Sequence, residues 1–111
     1  MLERSKEEIE YAFETFIDGV QSLIDHHMNT RFPTLPPVKI EIWPGSKYWK
    51  IVRVDNGVSV FGFVRKSDGA ILKAATWRAP FVKGPSAIRG YVTDPNNGLS
   101  SITAYGVVHA K

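Results

Sequence analysis

A chain of 111 residues, 43% hydrophobic and 23% charged, is a single globular domain, long enough for one modest core and too short for two. No apolar run approaches the roughly 18–20 residues of a membrane span, and the charged opening of the chain is unlike a secretory signal or a basic transit peptide. Zero cysteines exclude disulfides, thiolate zinc sites and thiol nucleophiles, and fit a reducing cytoplasm. The net charge of +3 is unevenly spread: residues 1–30 carry seven acids against Arg4 and Lys6, whereas residues 31–111 carry twelve cations against Glu41, Asp55, Asp68 and Asp94. An anionic ligand is drawn to the second part.

Ser5-Lys6-Glu7-Glu8 reads as a capping box, in which the Ser5 hydroxyl accepts from the Glu8 amide. Behind it Ile9, Ala12, Phe13, Phe16, Ile17, Val20, Leu23, Ile24 and Met28 recur at three- and four-residue steps. That is one apolar stripe on a helix of about 24 residues, roughly 36 Å long at 1.5 Å per residue. Asn29 to Pro33 ends the helix, and Pro36-Pro37 keeps the chain extended. Period two then takes over. Val38 to Ile42, Lys47 to Val54, Val58 to Arg65 and Ala70 to Trp77 read as four strands, joined by turns at Pro44-Gly45-Ser46, Asp55-Asn56-Gly57 and Ser67-Asp68-Gly69. The expected fold is α+β: a long N-terminal helix packed on a four-stranded antiparallel meander, with an irregular C-terminal segment. Periodicity leaves Leu99 to Ala110 open between a short helix and an edge strand.

The second and third strands carry more apolar residues than one face needs. Trp49, Ile51, Phe61 and Phe63 compete with Tyr48, Val52, Val60 and Val64 for one core, so a second copy of the chain is expected to bury the surplus as a homo-oligomer.

The chemistry concentrates late in the chain. Arg78, Lys83 and Arg89 lie beside Trp77, Phe81 and Tyr91. Guanidinium forks pair with phosphate oxygens and flat rings stack on bases, so the segment suits a phosphorylated, base-containing ligand. Arg89-Gly90 sets a cation beside a residue that lets backbone approach a ligand closely. Asp94 before Pro95 is either a turn initiator or an acceptor for a ribose hydroxyl or adenine amine. Arg31 is a weaker candidate, as are Tyr48, Trp49, Lys50 and Arg53, which project from both faces of their strand. His26 and His27, about 100° apart on a helix, do not readily chelate one metal, and His109 stands alone. No HExxH, Walker loop, GxSxG or GxGxxG occurs. Catalysis by paired carboxylates would need a partner for Asp94, and only Glu41 is available outside the helix and turns. The expectation is a binding protein, without catalytic residues, cofactor or metal.

The block GAILKAATWRAP, followed by RGYVTD and NNGL, resembles a family of small phage-encoded proteins. A helix, the Phe32-Pro33 pair and the strand Lys47-Tyr48-Trp49-Lys50-Ile51-Val52 extend the similarity over most of the chain. That family is identified as the phage Thoeris anti-defence proteins of the first type. The resemblance implies a sponge in the infected cell's cytoplasm that sequesters cyclic ADP-ribose signals, or cyclic oligonucleotides, without cleaving them, and that acts as a dimer or larger assembly. It also implies ligand-binding roles for Trp77, Arg78, Arg89, Asp94 and Asn97, with Arg31 beside the Phe-Pro pair; Lys83 and Tyr91 join the candidates from the basic, aromatic character of the segment itself. Two departures reshape a pocket wall: about four extra residues near Gly84–Ala87, and Tyr91 after Arg-Gly. The alternative readings are a nucleic-acid-binding phage protein and an inhibitor of a host protein.

Overall fold

A computed structural model describes residues 5–84 and 86–108. Its first element is the helix α1, Lys6–Arg31, and the Ser5 hydroxyl accepts from the Glu8 amide at 3.1 Å as the capping box requires. Ile9, Phe13, Phe16, Val20 and Ile24 form its buried stripe. The strands β1 (Lys39–Pro44), β2 (Tyr48–Val54), β3 (Val58–Arg65), β4 (Ala70–Leu72) and β5 (Ile88–Tyr91) form one antiparallel sheet in the order of the chain. A single helical turn, Leu99–Ser101, leads into a two-stranded ribbon, β6 (Ile102–Thr103) and β7 (Gly106–Val107). The protein is thus an α+β fold of one long helix on an antiparallel meander.

Three details differ from the sequence expectation. The fourth strand stops at Leu72 rather than Trp77, because the chain turns off the sheet at Lys73. A fifth strand, β5, pairs with β4 inside the stretch expected to be irregular. The segment after Leu99 is both a helical turn and a ribbon, with His109 and Ala110 outside the described residues.

The competition for the core is resolved by a bulge. Ile51 faces Gly62 and Val52 faces Val60, leaving Phe61 as an extra residue in β3. A bulge breaks strict alternation, so Phe61 and Val64 both join Trp49 and Ile51 on the helix side. Trp49 stacks on Phe13 of α1 with ring centroids 4.1 Å apart. The ribbon completes this inner layer: Ile102, Ala104 and Val107 belong to the same core, and a Cβ at Gly62 would collide with Val107. Gln21 fastens the edge, donating to the Val38 carbonyl and accepting from the Ile40 amide, both at 2.9 Å. One side chain thereby satisfies backbone groups that a further strand would otherwise take.

Val52, Phe63 and Leu72 face the other way, yet each is at most 3% exposed. The chain itself covers them. After β4, residues 73–81 make a closed hairpin, with Phe81 N donating to Lys73 O at 2.7 Å, Ala75 N to Ala79 O at 3.0 Å, and a bridge between Ala74 and Pro80. The Thr76 hydroxyl accepts from the amides of Arg78 and Ala79 at 3.2 and 3.1 Å and shapes the tip. This flap folds back across the outer face, burying Pro80 and bringing Trp77 against Trp43 of β1. The apolar surplus that pointed to a second copy is consumed within one chain.

Candidate functional site

The flap and the sheet end enclose a cleft of about 370 Å³ lined by Trp43, Pro44, Gly45, Ser46, Lys47, Tyr48, Lys50, Phe63 and Arg78. Period two explains the sheet's contribution. Tyr48 and Lys50 alternate with the inward Trp49 and Ile51, so they emerge on the outer face beside Phe63, whose ring meets Tyr48 edge-on at 6.1 Å. Trp43 and Trp77 stand perpendicular with centroids 5.6 Å apart. The Lys50 ammonium sits 3.4 Å from the Trp77 centroid and 5.5 Å from that of Trp43. Glu41 accepts the Trp43 indole N–H at 3.1 Å, which fixes that ring.

Lys47, Lys50 and Arg78 have no carboxylate partner among the described residues. Partial burial, and then the Arg78 charge beside it, hold the Lys50 ammonium below the usual lysine value. Like charges held close without a counter-ion favour an incoming anion, since it relieves their repulsion. By contrast Arg65, next along the sheet end, is spent: it grips Asp68 through Nε and Nη2 at 3.0 and 2.7 Å. That contact, ahead of burial which opposes it, raises the Arg65 value and lowers that of Asp68.

The candidates read from sequence separate into groups. Trp77 and Arg78 come together at the flap tip and belong to the cleft. Arg89 lies in β5 rather than in a loop, half-buried, with Nε and Nη1 shut from solvent and without a hydrogen-bond partner. The room beside Gly90 is taken by the Ser101 side chain, whose hydroxyl donates to the Arg89 carbonyl at 2.7 Å, so that glycine serves internal packing and not close approach of a ligand. Tyr91 follows in the same strand.

Asp94 and Asn97 lie on the helix side. The Asp94 carboxylate accepts from the Tyr91 amide at 3.0 Å, closing a turn. Asn97 donates to the carbonyls of Ala12 and Val92 at 3.0 and 2.6 Å, and with φ 60° it occupies the left-handed region just before Gly98. Lys83 is exposed on the strand-free return towards β5, and Arg31 is exposed in the last turn of α1; neither lines the cleft. His27 meets the Tyr105 hydroxyl at 3.0 Å and pins the ribbon to the helix end.

The cleft residues that sequence reasoning ranked low or passed over are Lys47, Tyr48, Lys50 and above all Trp43. The signal for Tyr48 and Lys50 was their alternation with core residues. Nothing local marks Trp43, because its partner Trp77 arrives from a loop 34 positions away.

A helix on one face of the sheet and a basic, aromatic cleft on the other characterise this small α+β protein. The chain belongs to a family of unknown function, DUF7717, which matches residues 3–99. No curated protein matches it, and neither does any solved structure. Among the described residues no helix is long and apolar enough to cross a membrane, and no three His, Asp or Glu side chains are grouped to hold a metal ion.

Proposed function

We propose that the protein binds a cyclic nucleotide signal in the cleft beneath the flap and sequesters it intact, as a phage anti-defence protein in the cytoplasm of the infected host. One observation carries this reading: unpaired Lys47, Lys50 and Arg78 converge with Trp43, Trp77 and Tyr48 on one opening. The cations supply charge-assisted bonds to phosphate, with Arg78 able to bind two oxygens at once. The indole and phenol rings supply stacking surface for a base. Lys50 already covers one face of Trp77, so a base stacks there only as phosphate draws the ammonium away. Sequestration needs no bond-making group, because a tight and abundant binder depletes its ligand by mass action.

The homo-oligomer implied by the resemblance would be built on the free edge of β5, where Val82 and Ile88 are exposed beside the strand. Light scattering at micromolar concentration tests it, with a monomeric mass as the refuting result.

The binding test is calorimetric titration with cyclic ADP-ribose isomers and cyclic dinucleotides, followed by denaturation and analysis of the released compound. Recovery of unchanged ligand is expected. Multiple-turnover release of linear nucleotides would replace the sponge with an enzyme, and absence of binding to every compound would remove the reading.

A further inference from the structure

A second basic hollow adjoins the cleft. About 500 Å³ in volume, it is lined by Lys6, Ile9, Ser46, Lys47, Lys66 and Ser67. Ser46 and Lys47 belong to both openings, so the two meet at the turn between β1 and β2. That turn is held in place: Gly45 N donates to Tyr48 O at 2.9 Å, and the Lys66 ammonium donates to Gly45 O at 2.5 Å. No carboxylate lines either opening. Asp68, in the turn after Lys66 and Ser67, is engaged at both oxygens by Arg65. Lys6 is exposed at the start of α1 and has no carboxylate partner among the described residues. A track of five cations, Arg78, Lys50, Lys47, Lys66 and Lys6, therefore runs from the flap tip around the turn to the helix side, with serine hydroxyls along it. A single phosphate group uses only part of such a track. Five like charges gathered along openings that no carboxylate lines cost stability through mutual repulsion, and a ligand bearing separated negative groups offsets that cost.

We propose that the hollow at Lys6, Lys47 and Lys66 is a second anion subsite, and that the ligand is an extended bis-phosphate, a dinucleotide with separated phosphates that straddles the β1–β2 turn. The inference rests on the reading of the first cleft as a nucleotide site. The first phosphate and base lie with Arg78 and Trp77. Lys47 serves both halves, and the second phosphate is reached by Lys6 and Lys66.

Calorimetric titration of the whole protein with AMP and with the linear 5′-phosphorylated dinucleotide pApA tests this, using wild type, the double variant Lys6→Gln/Lys66→Gln and Arg78→Ala. Melting curves establish that each variant is folded. Wild type is expected to bind pApA at least about tenfold more tightly than AMP, the gain of one charge-assisted contact. The double variant is expected to lose that advantage while its AMP affinity stays unchanged. Equal affinity of wild type for the two compounds, or a double variant that keeps the advantage, overturns the second subsite and leaves the first reading standing. Equal loss of both ligands in the double variant also overturns it, since the lysines then act as a general field. Arg78→Ala binding both as wild type does refutes the first cleft itself, whereas no binding of either linear compound to wild type overturns the extended bis-phosphate ligand and leaves the first cleft to its own titration with the cyclic compounds. A twelve-residue oligothymidylate that binds far more tightly than pApA, with a steep salt dependence, would identify a single-stranded polymer as the ligand and overturn the dinucleotide.

Discussion

The two faces of the sheet are built from the same alternating strands but covered in different ways. The inner face is closed by a 26-residue helix and a ribbon, and its contacts are Phe13 on Trp49, Phe16, Val20 and Ile24. The outer face is closed by a loop hairpin whose tip brings Trp77 and Arg78 to meet Trp43 and Lys50. The helix covers the sheet with an apolar stripe, and its polar tie to the strand edge, Gln21, is used up on the backbone of Val38 and Ile40. A flap anchored by backbone bonds and one proline covers only the middle, and cations and rings remain at its rim. If the cleft binds as proposed, stability and binding lie on opposite faces, and mutations should separate them.

The largest effect is expected for Phe16→Ala on the inner face. Phe16 is wholly buried, and truncating such a ring typically costs about 3–5 kcal/mol. Denaturant unfolding measures the loss, and calorimetry should find the folded fraction binding with wild-type affinity. Next comes Asn97→Ala, which leaves two carbonyls without their donor and puts alanine at φ 60°. A loss of about 2 kcal/mol follows at roughly 1 kcal/mol per hydrogen bond. Ligand affinity should be unchanged, because Asn97 is on the helix side; a variant that melts like wild type but no longer binds would move the site to that side.

Arg78→Ala inverts the pattern. Its side chain is exposed, so unfolding free energy should shift by no more than about 0.5 kcal/mol. Affinity for a cyclic nucleotide should fall about tenfold or more through the lost charge-assisted bond. A collapse of the melting temperature would instead make Arg78 a flap anchor. Arg89→Met sharpens the same contrast. Two guanidinium nitrogens of Arg89 are buried without partners, so an apolar side chain of similar length should be neutral or slightly stabilising. Loss of binding in that variant would carry the site across to β5.

The smallest effect concerns pH. Hydrogen bonding to Arg65 depresses the Asp68 carboxyl, and the same carboxylate accepts from the Ala70 amide at 3.0 Å. A depressed folded value means that the pair's stabilisation is complete above the unfolded value of about 3.9 and is lost as pH falls through the depressed one. Asp68→Asn should therefore lower the melting temperature slightly at neutral pH and flatten its decline in acid. An unchanged acid profile would show that the pair contributes nothing measurable, as many exposed pairs do.

What the sequence by itself determined is the class of fold and its first two thirds. The Ser5 cap, the stripe from Ile9 to Met28 and the turns at Asp55-Asn56-Gly57 and Ser67-Asp68-Gly69 are local signals, and each acts over a few residues of the chain. Of the residues singled out for ligand contact, only Trp77 and Arg78 meet in the cleft, where Lys47, Lys50 and Trp43 join them from the strands and the turn between them. Where that chemistry gathers was decided only by tertiary structure. The bulge at Phe61 chose which aromatics face the helix, and no periodicity encodes a skipped residue. The pairing of β5 with β4 joins Ile88–Tyr91 to Ala70–Leu72 across a long loop, so neither strand alone signals its partner. Trp43 and Lys50 acquired their place in the cleft only when residues 73–81 folded back over the sheet. That contact is non-local, set by the burial of Phe63 and Leu72 and not by anything in the neighbouring sequence.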